Sequence, residues 1–303
     1  MINLVLGNSL LQYSIMTGFM GRILGLDGIR AYAVIMVVVT HLHIFIEWYN
    51  DKSPMYSLVW GANGVIIFFI LSGFLITHLL FLEYEKTGAV NLKQFIIRRG
   101  LRIFPAFYLF IFILFTLGLF IETNTTPKQL FMAAIYWFNH PPRAEYNTTL
   151  GHTWSLAVEE HFYIIWPLIF MLLSKVKARG VSITLILIMM IYSLQILQNH
   201  LYAETDLNQT FRLDRWTSSA AIYLLSGCLG ASFVHSKYWD RISNLQIVSV
   251  VLSVMFVVGF GVDFWFGGDF RVAKYWRIAG ILSAILWVYI NQDSKLVAIL
   301  EFS

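Results

Sequence analysis

The stretch LDGIRAYAVIMVVVTHLHIFIEW, residues 26 to 48, is apolar enough to cross a bilayer, yet it opens with Arg30 and carries His41 near its middle. On a helix, eleven positions return to within about 20° of the same face and rise about 16 Å. Arg30 and His41 therefore share one stripe, a permanent cation at the rim and a titratable ring at depth. Such a pair can serve the two ends of one extended ligand. Arg30 alone reads equally as an interfacial anchor, and His41 as a histidine bonded to a neighbouring helix. An ionisable ring at that depth is costly, which makes function its default reading. His43 lies about 200° from His41 and cannot share its face. Asp27 stands where a helix N-cap belongs.

Three further stretches carry chemistry. GANGVIIFFILSGFLITHLL holds Ser72 beside Gly73; the serine can bond a buried ligand or its own helix backbone, and the glycines suit close helix packing. KQFIIRRGLRIFPAFYLF sets Arg98, Arg99 and Arg102 just before an apolar run, where guanidinium forks suit phosphate oxygens but also serve as a plain basic flank. TWSLAVEEHFYIIWP opens an apolar run with adjacent carboxylates, Glu159 and Glu160, which point about 100° apart. One of them could orient and charge-stabilise His41, as a carboxylate does for a histidine base. The spacing does not distinguish which, and an interfacial pair reaching to water is the alternative.

The elements that must position these residues are membrane helices. Of 303 residues 58% are apolar and 13% charged, with a mean hydropathy of +0.69, far above a soluble domain. With about 20 apolar residues needed per span, spans are expected near 29–48, 58–82, 103–121, 154–173, 181–199, 217–235, 245–263 and 274–290. The segment KQLFMAAIYWFNH, 128–140, is short for a span and reads as re-entrant or interfacial. The expected fold class is therefore all-α, a polytopic transmembrane bundle of about 8–10 spans forming one membrane-embedded domain over 1–303. With the start of the first span inside, Lys and Arg divide thirteen inside to eight outside, the second group including Arg271, Lys274 and Arg277, as the positive-inside rule prefers. A net charge of +4 clustered beside apolar runs fits a lipid bilayer as partner and not nucleic acid. The single cysteine, Cys228, excludes an internal disulfide and reads as packing.

Together LDGIRA with its Arg-x10-His pair, FFILSGF, RRGLRIFPAFY and HTWSLAVEEHFY resemble the acyltransferase-3 family, membrane proteins that O-acylate sugars of bacterial surface polysaccharides and other small acceptors. The resemblance covers 26–170 as a motif-bearing core, with 171–303 a variable helical half. It implies an acyl-CoA donor, usually acetyl-CoA, reached from the cytoplasm, a carbohydrate or other hydroxyl acceptor reached from the opposite side, no metal, and a bacterial inner (plasma) membrane location. By position it makes His41 the essential catalytic histidine, with Glu159, Glu160 and Ser72 about it and Arg30, Arg98, Arg99 and Arg102 near the donor. It also implies one or more last spans beyond VAILEFS, where this sequence stops. Two other readings stand beside it: a proton-relaying transporter or sensor, and an inactive truncated relative that only binds a partner.

Overall fold

The computed structural model describes residues 23–43, 61–174, 180–203, 210–236, 238–243, 246–266 and 271–300. The helices are α1 Leu26–His43, α2 Gly61–Thr87, α3 Leu92–Phe120, α4 Pro127–Ala134, α5 Thr153–Ser174, α6 Gly180–Ala203, α7 Thr217–Val234, α8 Trp239–Ile242, α9 Gln246–Phe266, α10 Arg271–Ile290 and α11 Lys295–Ile299. A helix stands at each of the eight expected spans, and the protein is an all-α membrane bundle. Among the described residues four segments are both long and apolar enough to cross a bilayer: Gly61–Thr87, Leu92–Phe120, Thr153–Leu172 and Leu213–Val234. Residues 44–48 of the first expected span and the basic run KVKAR at 175–179 lie outside the described residues.

The exposure of α3 fixes its surroundings. Only 6% of its apolar window is buried, and Leu101, Phe112, Leu119 and Phe120 are more than half exposed. A helix apolar on all sides and buried on almost none is stable only against hydrocarbon. There, every backbone group must bond within the chain, which is why the spans are helical. Their starts are written in the sequence. The Asn91 side chain accepts from the Gln94 amide to open α3, and Thr126 and Gln129 form a reciprocal capping box that starts α4 with Pro127 in its first turn.

The helices form two compact units. One holds α1, the start of α2 and α8 to α11; the other runs from Ser72 to Ser236, the rest of α2 through α7. In the first unit α9 and α10 pack along their length. In the second, α7 packs on α5 and α6, and α3 packs on α4 and α5. Gly73 brings α2 against α7 so closely that a Cβ there would overlap the Leu224 carbonyl oxygen. Cys228 is fully buried on α7, as packing predicts.

The segment between α3 and α5 dips into the second unit. Leu130, Ala133 and Phe138 form a core cluster with Leu150, against Phe110, Ile111 and Leu114 of α3. At its lowest point Tyr136 packs on Phe104 and Phe107, with ring centroids 5.9 and 4.9 Å apart. Those residues precede the end of α3 at Phe120 by 16 and 13 positions, about 24 and 20 Å at 1.5 Å per residue. The 128–140 segment is thus re-entrant, with an eight-residue helix too short to span.

Candidate active site

In the first unit, α1 is pinned to the start of α2. The Gly61 amide donates to Thr40 Oγ1 at 2.6 Å, satisfying a donor that a helix start leaves over. At Gly64 a Cβ would stand 2.5 Å from the Ala33 carbonyl oxygen, so only glycine permits this approach. The next residue after Thr40 is His41. Its ring is exposed, and Nδ1 lies 2.7 Å from the Val37 carbonyl oxygen. A carbonyl only accepts, so Nδ1 carries the proton and Nε2 keeps its lone pair, the tautomer of a base. Arg30 lies 3.5 Å from the Asp27 carboxylate, a half-exposed pair of little strength. Asp27 falls one residue inside α1 rather than at its cap.

One cation departs from expectation. Arg277, expected among the outer loops, is 7% exposed within α10 and donates to Asn63 Oδ1 of α2 at 2.6 Å. The sequence places it beside an apolar run; the helix simply begins six residues earlier, at Arg271. A buried guanidinium held by a neutral amide, inside an apolar helix, is costly enough to belong with the functional candidates.

In the second unit the two carboxylates of α5 are both buried, Glu159 at 4% and Glu160 at 8% exposed. Ser72 Oγ donates to Glu159 Oε1 at 2.7 Å, and the Tyr163 phenol is a second hydrogen-bond neighbour of Ser72. Arg99 turns inward over the Phe95 and Tyr163 rings, 5.8 and 5.6 Å from their centroids, and its charge reaches Glu160. Glu160 Oε1 is buried with no hydrogen-bond partner among the described residues. Arg98 and Arg102, four apart on α3, are exposed, and Arg98 stands 3.5 Å from Glu83. So Ser72, Arg99, Glu159 and Glu160 come together, Arg98 and Arg102 face outward, and Arg30 and His41 belong to the other unit.

The re-entrant tip meets the same cluster. Burial, then the charge of Glu160 and the neighbouring Tyr108, pushes the Tyr136 phenol well above its ordinary pKa. Tyr136 holds φ at +56°, left-handed backbone that a bulky residue rarely adopts. Its amide bonds the Ala133 carbonyl and that of Trp137 bonds Met132, the paired closure of a helix end that glycine normally supplies. His161 Nδ1 lies 2.8 Å from Thr217 Oγ1, and the ring also bonds the Tyr136 backbone, fastening the tip to α5 and α7. Burial, with His161 beside it, pulls the His140 imidazole down to about 4.

Residues 23–293 match the family described as Acyltransferase domain, acyltransferase-3. The chain belongs to this family. Among curated proteins it is 30% identical over 274 residues to O-acetyltransferase OatA of Staphylococcus aureus (strain NCTC 8325 / PS 47), covering 83% of this chain and 43% of that protein. It is 37% identical over 203 residues to a candidate O-acetyltransferase of Staphylococcus aureus (strain COL), covering 60% of this chain and 32% of that one. The chain thus spans less than half the length of these relatives. No solved structure matches it. Within this acyltransferase domain, sequence reasoning missed Tyr136, His140, Trp216 and Arg277. YWFNH, 136–140, in a segment too short to span was a usable signal for the first two, because polar residues inside a re-entrant apolar stretch have few other reasons to be there.

Proposed function

We propose that the chain transfers an acetyl group from an acyl-CoA thioester to a hydroxyl of a carbohydrate acceptor, in the inner (plasma) membrane of a bacterium. Membership of the family supports the reaction class, and the names of the relatives support acetyl transfer to oxygen. One observation carries the reading to residues. A buried carboxylate with an unpartnered oxygen, Glu160, stands within reach of the Arg99 charge inside an apolar helix. That arrangement is too costly to persist without a use.

In the reaction the acceptor O–H loses its proton to a base, its oxygen attacks the thioester carbonyl, the C–S bond breaks, and the CoA thiolate leaves and is protonated. His41 is the assigned base or transient acyl carrier, on the family's motif and on the Nε2 lone pair that Val37 secures. Glu160 is the carboxylate that receives or steers the hydroxyl proton, while Glu159, held by Ser72, keeps α5 and α2 in register. Arg30, Arg98 and Arg102 are assigned to the donor's phosphates, and Arg99 to the charge that develops beside Glu160. The reaction as written needs no metal.

The test is purified protein in nanodiscs given acetyl-labelled acetyl-CoA. CoA release, with label on the protein or on an added hydroxyl acceptor, is expected and should vanish in His41→Ala. Wild-type protein that neither releases CoA nor takes label refutes the proposal.

A further inference from the structure

Among the described residues, four buried polar atoms at the re-entrant tip have no hydrogen-bond partner: Tyr136 Oη, Asn139 Oδ1, His140 Nδ1 and Trp216 Nε1. Native proteins leave few such atoms, and a run of them in one place calls for an occupant. Asn139 is fully buried, and its amide nitrogen is already committed to Thr217 Oγ1 at 2.9 Å, which fixes where Oδ1 points. His161 uses the same hydroxyl, so the tip is rigid before anything binds. Irregular backbone at this depth is tolerated where it lines a binding site.

We infer that the tip binds a neutral, hydroxyl-rich ring, a sugar unit of the acceptor, and presents it to Glu160. The atoms choose the class. Trp216 Nε1 only donates, Asn139 Oδ1 only accepts, and the Tyr136 hydroxyl does both. A ring bearing several hydroxyls satisfies all three; an anion leaves Oδ1 unpaired, and a cation leaves Nε1 unpaired. None of these side chains carries a fixed charge. Flat faces complete the site: Trp137 stacks on His140 at 4.3 Å with its own ring half exposed, and Trp216 lies 5.5 Å from His140. Indole faces with a few convergent polar atoms are what a pyranose, apolar on its C–H faces and polar at its edge, requires. His161, the next residue after Glu160 on α5, bonds the Tyr136 backbone and so ties the tip to the helix that carries the carboxylate. The left-handed backbone at Tyr136 is the strain expected where a side chain is held for use.

The word acceptor rests on the acyl-transfer reading; the binding itself does not. Equilibrium dialysis of the full chain in nanodiscs against tritiated methyl β-glucopyranoside and methyl N-acetyl-β-glucosaminide should show saturable binding of at least one. Trp216→Phe, which keeps a ring and drops the donor, and Asn139→Leu should each weaken it by about 2- to 10-fold, the reach of one neutral hydrogen bond. Absence of saturable binding to both glycosides, or equal affinity in wild type and Trp216→Phe, overturns the inference and leaves the tip to ordered water. Binding without any CoA release would sink the acyl-transfer reading and leave a carbohydrate site standing; CoA release without binding would do the reverse.

Discussion

Tyr136 offers two substitutions whose effects should diverge. Its side chain is half buried against Phe104, Phe107 and Tyr108, and its hydroxyl is buried and unpartnered. Tyr136→Phe keeps the ring and the left-handed backbone and deletes only the oxygen. An unsatisfied buried polar group costs roughly 1–3 kcal/mol, so the variant should lose no stability and gain up to about 1 kcal/mol. Tyr136→Gly relieves a backbone cost of roughly 1–2 kcal/mol but forfeits three ring contacts at roughly 0.5–1.5 kcal/mol each. Burial of a half-covered ring adds about 1 kcal/mol to that loss. The balance is a destabilisation of about 1–4 kcal/mol, despite the glycine-friendly φ. Thermal unfolding in detergent, followed by tryptophan fluorescence, ranks the three proteins, and acetyl transfer at low acceptor concentration measures function. The expected order is Phe at or above wild type in stability, yet about 2- to 10-fold below it in transfer. A Phe variant as active as wild type, or clearly less stable, refutes the view that this hydroxyl waits for a ligand.

His41→Ala should abolish acetyl transfer with helical circular dichroism unchanged, because its ring is exposed and its hydrogen bond to the Val37 carbonyl is local to α1; residual turnover near wild type would reject the base assignment. Replacing Arg98 and Arg102 together by Ala should raise the donor KM with little change in kcat, whereas Arg99→Ala, turned inward toward Glu160, should lower kcat; reversed effects would exchange their roles. The pKa of His140 is pulled down to about 4, so the unfolded chain takes up a proton between about pH 6.5 and 4 that the folded protein refuses. Stability should be level above that window and fall as pH drops through it, and His140→Gln should flatten the fall; an unchanged slope in urea unfolding across this range would contradict the burial argument.

What the sequence made legible was whatever a helical period or an apolar length could express. Eight runs of hydropathy located eight helices, because a span must be long, apolar and internally bonded. Arg98 and Arg102, four apart, share one exposed side of α3, as 100° per residue demands. Both carboxylates of α5 prove buried, against the alternative reading of an interfacial pair reaching to water; Ser72 of α2 meets Glu159, and α3 and α4 pack on the helix. Which neighbour each would meet could not be read, since Ser72 and Glu159 are 87 residues apart and meet only where α2 and α5 come together in the fold.

The re-entrant tip was the least legible feature, for a physical reason. Its chemistry depends on a chain reversal at depth, and a reversal is written in single residues rather than in a period. Asparagine or glycine would have announced the left-handed turn; tyrosine conceals it, because its propensity argues against the conformation it adopts. Local preference and tertiary structure disagree here, and such disagreements gather at functional sites. Evolution had a cheaper residue for the turn at position 136 and the structure holds a costlier one, beside a carboxylate with an oxygen to spare. The second unit thus holds a Tyr136 in left-handed backbone, a Glu160 oxygen without a partner among the described residues, and an Arg99 turned inward over the Tyr163 ring.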